Sequence, residues 1–379
     1  MTVAERAGIY EPQPGGYRAF VPKPLPPQPV VDLAPELQQL LSKADRALGR
    51  LDGSIRTLPN PDLFVFMYVR KEAVLSSQIE GTQSSLNDVL EAEAEIFDAD
   101  RPRDVDEVLN CVLAMNYGLE RLHHLPLSIR LIREIHHQLL SGVRGGNRQP
   151  GELRKIQNWI GASGCTLAEA TFVPPPPQRV EDCLNALELF LHDESLPGLM
   201  AIGLAHVQFE TIHPFLDGNG RVGRLLIAFL LAQRDILQTP VLYISHYFKQ
   251  RRAEYYERLQ AVRDGGDWEG WLRFFLTGVW EVAQEATATA RKIVDQRESH
   301  RQLITEHFGR VAGNGLKVLE HLYERPIINV QDIIRITGVS FPAANNLMSK
   351  FVEHTLLSEI TGNARNRQFR YGPYIKLFG

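Results

Sequence analysis

Apolar residues recur at intervals of three and four along most of this chain, which is the spacing of an amphipathic α-helix. From residue 37 to about residue 300 this spacing predicts an almost entirely helical body. Prolines crowd the stretch before it up to Pro35, so residues 1–35 are expected to be an extended leader. The predicted helices cover residues 37–51, 62–79, 84–97, 105–122, 129–141, 180–192, 199–212, 221–233, 252–263 and 267–296.

A β-prone stretch between residues 158 and 173 interrupts the helical pattern, and the prolines at 174–177 end it. We therefore expect a small β-hairpin, or flap, on a mainly α body. The flap opens with the residues Asn158, Trp159, Ile160 and Gly161.

The segment from residue 300 to residue 379 has a pattern of its own. Asn329 and Ser340 are suited to cap two short helices, and Gly338 ends the first of these. Helix, turn, helix and then a hairpin predict a winged helix-turn-helix, which we expect to form a separate domain. The predicted elements are helices at 316–322, 330–337 and 342–353, and strands at 356–360 and 367–371.

Charge changes at the same point of the chain. From His300 onward, 10 Lys and Arg stand against 6 Asp and Glu, a balance of +4. Residues 1–299 hold the remaining 31 against 39, a balance of −8. Because the whole chain carries a net charge of −4, it has no overall basic field that would indicate nucleic acid binding. Only residues 300–379 carry an excess of basic residues.

Composition excludes several classes of protein. The chain has 379 residues, 44% of them hydrophobic, which is enough for two or three globular domains. Its cysteines, Cys111, Cys165 and Cys183, have unrelated spacings, which excludes a disulfide scaffold and a zinc knuckle. No stretch reaches the ~18 apolar residues of a membrane span. We expect a cytoplasmic protein without membrane association.

Candidate functional residues are most closely spaced between residues 213 and 224, where the sequence is HPFLDGNGRVGR. A glycine-rich loop followed by a helix N-terminus presents unpaired N–H groups and partial positive charge. Arg221 and Arg224 add positive charge there and share one face of the helix, which favours a polyphosphate ligand. Asp217 would supply a carboxylate for a phosphate-bridging metal, and His213 could accept a proton from an attacking hydroxyl.

This stretch resembles the signature of the Fic (filamentation induced by cyclic AMP) family, His-x-Phe-x-Asp/Glu-Gly-Asn-Gly-Arg-x-x-Arg, at every fixed position. The resemblance implies a Fic helical core and protein adenylylation. In that reaction AMP moves from ATP, with Mg²⁺, to a Ser, Thr or Tyr hydroxyl of a target protein or of the enzyme itself, and pyrophosphate is released. The implied roles are His213 as general base, Phe215 as buried anchor, Asp217 as Mg²⁺ ligand, Gly218, Asn219 and Gly220 as cradle of the α-phosphate, and Arg221 and Arg224 as contacts of the outer phosphates.

Two more stretches carry the resemblance. Residues 150–161, with the prolines that follow, are similar to the flap that positions the target backbone beside the nucleotide. Tyr255 and Tyr256 lie where the family has its adenine-side helix. Seven residues after the second tyrosine the family often has an asparagine, and this chain has Arg263. The adenine contact, and with it a strict preference for ATP, therefore stays open.

Ser76, Glu80 and Gly81 fit the family's inhibitory pattern, Ser/Thr-x-x-x-Glu-Gly/Asn, at the end of the helix predicted over 62–79. By that resemblance Glu80 would pair with Arg224, the arginine that the γ-phosphate needs. The resemblance thus implies an enzyme restrained by its own N-terminal helix.

Two alternatives to an adenylyltransferase remain. One is a DNA-binding transcriptional regulator whose Fic core senses a nucleotide, with Lys350, Arg365 and Arg367 as DNA contacts. The other is an enzyme that removes AMP or transfers another nucleotide. A homodimer is compatible with each of them. The expected parts are residues 1–100 as N-terminal region with the inhibitory helix, 101–299 as catalytic core and 300–379 as winged helix-turn-helix domain.

Overall fold

The computed structural model describes residues 5–56, 61–96, 102–143, 148–162 and 164–379, and these are mainly helical, as predicted. The first four residues of the predicted leader, and the end of the helix predicted over 84–97, lie outside the described residues. The helices are α1 (Pro35–Arg56), α2 (Asp62–Ile79), α3 (Leu86–Glu93), α4 (Val105–Leu122), α5 (Ile129–Leu140), α6 (Pro177–Leu191), α7 (Gly198–Ile212), α8 (Asn219–Gln233), α9 (Ser245–Gln250), α10 (Arg252–Gly265), α11 (Trp268–His307), α12 (Ala312–Glu324), α13 (Val330–Thr337), α14 (Phe341–Glu353) and α15 (Gly372–Ile375).

The core forms around α7, whose residues from Leu199 to Ile212 are all buried. A helix that is apolar on every side is stable only when other helices surround it. Helices α6, α8 and α11 pack against it, and α1 lies along α11. The loop between α7 and α8 contains candidate functional residues of the 213–224 segment. Two deeply buried helices therefore hold this loop.

Helix α11 is longer than predicted, since it runs through the expected domain boundary at residue 300 to His307. Its last part is mostly polar, which weakens the apolar periodicity on which the prediction depended. The helix continues because Arg, Gln and Glu favour helix and because Ile304 is buried against Phe308 and Gly315. Helix α9 is short and was not predicted.

The leader is more ordered than an extended segment. Strands β1 (Gly8–Pro12) and β2 (Arg18–Pro22) pair antiparallel, with Gly8 opposite Pro22. The backbone N–H of Phe20 donates to the Val173 carbonyl at 2.9 Å, so the leader packs against the end of the flap.

The predicted flap has much less strand than expected. Ile160 and Phe172 exchange both backbone hydrogen bonds, at 2.8 and 3.0 Å, and form an isolated bridge. Among the described residues of this segment the ladder extends no further, because a short 3₁₀ turn, Leu167–Glu169, lies between the two residues and prolines without N–H donors follow them. The flap is a loop closed by one residue pair.

The C-terminal elements occur in the predicted order. Asn329 caps α13 by accepting hydrogen bonds from the N–H groups of Gln331 and Asp332, whereas Ser340 stands before α14 without a side-chain cap bond. An additional short strand precedes α13, so the hairpin becomes part of a three-stranded antiparallel sheet. The strands are β3 (Ile327–Ile328), β4 (Ser358–Glu359) and β5 (Phe369–Arg370), in the spatial order β3-β5-β4.

This C-terminal part is packed onto the helical body. The ring of Phe378 meets Tyr68 of α2 edge-on at 5.3 Å, and Arg370 lies 3.7 Å from Glu91 of α3. The side chain of Gln296 donates to the Pro373 carbonyl at 3.0 Å. In the part of the chain described here, no helix combines the length and hydropathy that a membrane span requires.

Candidate active site

The loop between α7 and α8 is bounded by two left-handed residues. His213 ends α7 with φ 49° and ψ 60°, and Gly218 precedes α8 with φ 76°. Glycine adopts this backbone freely, whereas a histidine there needs surrounding contacts to hold it. Helix α8 begins at Asn219, two residues before the start predicted from apolar periodicity. Its first turn therefore contains Asn219 and Gly220, with N–H groups free of helical partners.

Asn219 closes this loop. Its Oδ1 accepts the Phe215 N–H at 2.8 Å, and its Nδ2 donates to the Phe215 carbonyl at the same distance. The Phe215 ring is fully buried and stacks on His136 at 3.7 Å. Both polar groups of the Asn219 side chain are thus occupied by the loop backbone.

His136 connects the loop to α5, which the sequence did not indicate. Its Nδ1 accepts the Gly151 N–H at 2.8 Å, so Nε2 carries the proton and donates to the Asp217 carbonyl at 3.0 Å. Burial lowers the pKa of His136 to about 4, which keeps the ring neutral. Its place on the apolar face of α5 indicates packing, and its function here is to hold the loop.

Arg154 and Asn158 tie the base of the flap to the same loop. Arg154 is 2% exposed; its Nε donates to the His213 carbonyl at 2.9 Å and its Nη2 to the Pro175 carbonyl at 2.6 Å. The Asn158 Nδ2 donates to the carbonyls of His213 and Phe215 at 3.2 and 2.9 Å. Farther along the flap, Trp159 stays 41% exposed. The sequence carried no signal that Arg154 holds the motif, since its partners are backbone carbonyls distant in the chain.

His213 lines a cavity of about 230 Å³ together with the first turn of α8 and the end of α2. Burial and the charges of Arg263 and Arg154 lower the pKa of His213 to about 3, so the imidazole is neutral at pH 7. The side chains and backbone around the cavity belong to Glu80, Gly81, Thr82, Asp104, Glu107, His213, Leu216, Asp217, Gly218, Asn219, Gly220 and Arg221.

Arg224 is held by the end of α2 through its Nε and Nη2. Its Nη2 donates to Glu80 Oε1 at 2.7 Å and to the Ser76 carbonyl at 2.9 Å, and its Nε donates to Ser76 Oγ at 2.9 Å. Although burial acts in the opposite direction, the charge of Arg224 holds the pKa of Glu80 below its ordinary value. Helix α2 ends at Ile79, and Gly81 takes φ 104°, which turns the chain away after Glu80.

The Glu80 carboxylate lies against the N-terminus of α8. A Cβ built on Gly220 would come within 2.2 Å of Glu80 Oε1, so only glycine allows this approach. A carboxylate placed at a helix N-terminus beside an arginine occupies the position of a bound anion.

The second motif arginine faces a different carboxylate. Arg221 is 4% exposed, its Nη1 lies 3.3 Å from Glu107 of α4, and its Nη2 lies 3.9 Å from Asp217. Asp217 remains accessible at the cavity rim, where its side chain is 43% exposed. Glu107 was not predicted, although a glutamate on the apolar face of an otherwise amphipathic helix is a recognisable signal.

The two tyrosines of α10 lie in different environments. Tyr255 is 1% exposed, and its hydroxyl lies 2.9 Å from His206 Nε2 within a cluster of aromatic rings. The structure thus places Tyr255 in the core, so the expected contact of Tyr255 with the nucleotide stays a prediction. Tyr256 is 41% exposed, and Arg252 lies over its ring at 5.8 Å.

The basic residues singled out in the C-terminal part lie far from this cavity in sequence and on other elements. Lys350 on α14 lies over the Phe308 ring at 5.8 Å, and Arg367 lies over Phe369 at 5.4 Å. Arg365 and Arg367 are exposed in the loop between β4 and β5.

Comparison with known proteins gives consistent matches for the region that contains this cavity. Residues 38–120 match the sequence model described as Fic/DOC family N-terminal, and residues 126–231 match the model of the Fic/DOC family. A relative named protein adenylyltransferase Fic from Drosophila willistoni is 33% identical over 177 residues, covering 45% of this chain and 31% of that protein. The relative of the same name from Drosophila yakuba is 30% identical over 247 residues, covering 63% of this chain and 45% of that protein.

Two solved structures show the same fold. A Fic family protein from Desulfovibrio desulfuricans has a TM-score of 0.60 at 20% identity, with 90% of this chain and 97% of that one covered. Fic-1 from C. elegans has a TM-score of 0.51 at 22% identity, covering 69% and 75%. The chain spans less than half the length of the two curated relatives. Residues 38–120 and 126–231, which surround the cavity, are thus similar to the N-terminal and the central models of the Fic/DOC family.

Proposed function

We propose that this chain is a protein adenylyltransferase that moves AMP from ATP to a hydroxyl side chain of a target protein or of itself. The observation that carries the proposal is the neutral His213 in one cavity with the N-terminus of α8 and Arg221, next to Arg224. Relatives over the same region bear the name protein adenylyltransferase. A neutral imidazole beside a polyphosphate site is suited to proton abstraction from an attacking hydroxyl.

The reaction needs one proton acceptor and several cations. The hydroxyl oxygen of the target attacks the α-phosphorus, the bond from that phosphorus to the oxygen bridging to the β-phosphorus breaks, and pyrophosphate leaves. His213 accepts the hydroxyl proton. The N–H groups of Asn219 and Gly220 stabilise charge on the α-phosphate, while Arg221 and Arg224 hold the leaving phosphates. The Gly218 N–H donates to Asp217 Oδ1 at 2.6 Å and so orients that carboxylate at the edge of the cradle. Positioning of this kind supplies most of the catalysis in phosphoryl-type transfers.

Asp217 fits a magnesium ion. Mg²⁺ is usually bound by one or two carboxylates together with substrate phosphates and water, and Asp217 offers one accessible carboxylate beside the phosphate-binding loop. The bound ion would neutralise phosphate charge. Among the described residues, no group of three or more acidic, histidine or cysteine side chains forms a metal cage of its own, which agrees with an ion that arrives with the nucleotide.

We further propose that Glu80 restrains the enzyme. Its carboxylate holds Arg224 at 2.7 Å, in the place where the γ-phosphate of ATP would bind. ATP would then bind without the alignment that transfer requires. The exposed Ile156 and Trp159 favour the flap as the surface for the target backbone. Of the two tyrosines we propose Tyr256, which is exposed, for the adenine side.

The label position in ATP tests the chemistry. The Glu80→Gly variant is incubated with Mg²⁺ and either α-labelled or γ-labelled ATP, and labelled protein is measured. We expect label from the α-position only, with release of pyrophosphate. Label from the γ-position would indicate a kinase. If another nucleotide labels the protein and ATP does not, that nucleotide is the substrate.

A second candidate function rests on the C-terminal part. We propose that residues 300–379 form a winged helix-turn-helix, in which α13 and α14 carry the turn and the β4–β5 loop is the wing. Lys350, Arg365 and Arg367 make no ion pair with the described residues, and the two arginines are exposed, so they are available to phosphates. DNA binding through this surface is compatible with an active Fic core.

Salt dependence tests this DNA contact. We expect the full chain to shift duplex DNA from its own promoter region at low salt and to lose affinity as salt rises, because each phosphate contact releases counterions. Replacing Arg365 and Arg367 together by Ala should reduce the slope of log K against log salt by about 2. Absence of any shift at low salt would leave the C-terminal part as a protein-docking module.

A further inference from the structure

Arg263 is a buried arginine that reaches the last turn of α7. It is 5% exposed; its Nε donates to Thr211 Oγ1 at 3.2 Å and its Nη2 to the Glu210 carbonyl at 3.1 Å. These two residues come immediately before Ile212 and His213. Arg263 therefore stabilises the last turn of α7. This turn sets the direction in which His213, with its left-handed backbone conformation, points after the helix.

Arg263 also contacts the flap. Its guanidinium lies 3.9 Å from the centroid of the Phe172 ring, and Phe172 is the residue that closes the flap by pairing with Ile160. One guanidinium thus joins α10, the end of α7 and the flap. A nucleotide base could not reach it without displacing these packed contacts, since Arg263 and Phe172 are both buried.

The charge of Arg263 is poorly compensated. Glu210 is the acidic group that acts most strongly on Arg263, and among the described residues no hydrogen bond meets its buried Oε1. Burial raises the pKa of Glu210 to about 7 despite the charges of Arg224 and Arg263. Because the Glu210 carboxyl is only partly ionised at neutral pH, it only partly neutralises Arg263. The positive charge of Arg263 therefore acts on His213.

We infer that Arg263 is a positioning residue for His213, which orients the imidazole through the last turn of α7 and keeps a buried positive charge on its side of the cavity, instead of contacting the base of the nucleotide. The inference rests on the proposed function, in which His213 is the base. The charge of Arg154, in the loop before the flap, also lowers the pKa of His213, while the charge of Glu80, at the end of α2, raises it. Asp217, Arg221, Asp104 and Glu107 line the same cavity.

The lowered pKa of His213, about 3, agrees with this assignment, because Arg263 is the largest electrostatic cause after burial. The consequence is a base that stays neutral well below the ordinary histidine range. The transfer rate should then show no acid limb between pH 5 and 7 from this residue.

NMR titration of the His213 ring tests the inference without any need for activity. The ring is assigned by its absence in His213→Asn, and titration is compared in Glu80→Gly and in the same variant with Arg263→Met, Arg263→Lys or Thr211→Val. We expect the midpoint to rise by at least one pH unit in Arg263→Met and less in Arg263→Lys, and to stay unchanged in Thr211→Val, which keeps the charge. An unchanged midpoint in a folded Arg263→Met would overturn the inference.

Kinetics of the same variants separate positioning from nucleotide binding. We expect Arg263→Met to lower kcat about tenfold with the KM for ATP within twofold, and to move the acid limb of the rate upward by as much as the titration midpoint of His213 rises. A tenfold higher KM for ATP with unchanged kcat would make Arg263 a nucleotide contact after all. If Arg263→Met does not fold, Arg263→Gln replaces it. If Glu80→Gly transfers nothing, the proposed function fails while the titration still decides the effect of Arg263.

Discussion

Replacing Glu80 by Gly should raise auto-adenylylation about ten- to a hundredfold over the unaltered chain. The substitution removes the carboxylate that holds Arg224 at 2.7 Å and leaves the arginine to bind the γ-phosphate. A hydrogen bond to a charged group is worth about 1.5–3 kcal/mol, which sets this range. The measurement is the initial rate of protein labelling from α-labelled ATP at saturating Mg²⁺.

Graded variants of the same contact sharpen this prediction. Ser76→Ala removes only the Oγ that accepts from Arg224 Nε at 2.9 Å, so we expect a smaller increase than with Glu80→Gly. Glu353→Gly is the matched control, because Glu353 is also a helix-terminal glutamate but lies at the end of α14, and it should leave the rate unchanged. A rate for Glu80→Gly equal to that of the unaltered chain, with ATP bound, would contradict the restraint.

Adding His213→Ala to Glu80→Gly should lower labelling about 100-fold to 10,000-fold, the range for loss of a positioned general base. No other imidazole lines the described cavity, so no neighbouring histidine can replace it. ATP affinity, measured by calorimetry, should change only a few fold, because the phosphate-binding groups belong to α8 and its loop.

The control for this loss is His124→Ala. His124 is exposed just after α4, so its removal should leave both labelling and ATP affinity as they are. Retention of labelling in Glu80→Gly/His213→Ala would place the proton acceptor on another group, and loss of ATP binding would make His213 a binding residue.

Other contacts around the cavity became visible only in three dimensions. His136, Arg154 and Glu107 hold the motif through backbone carbonyls, a backbone N–H or one arginine, and such partners leave no spacing pattern in a sequence. The flap has one bridged residue pair where the sequence predicts a β-hairpin. β-prone residues form a strand only where a partner strand can donate hydrogen bonds. The prolines after Val173 remove those donors.

The sequence by itself determined the elements whose signals are local. Apolar periodicity predicts most helices because one helix face must be buried, and the string from His213 to Arg224 indicates an anion site because its glycines and arginines are adjacent in the chain. Tertiary structure decided which partner each charged group meets. Arg221 faces Glu107, 114 positions earlier in the chain, and Arg263 faces α7 and the flap. The packing of helices distant in the chain sets these contacts, so only the folded chain shows them.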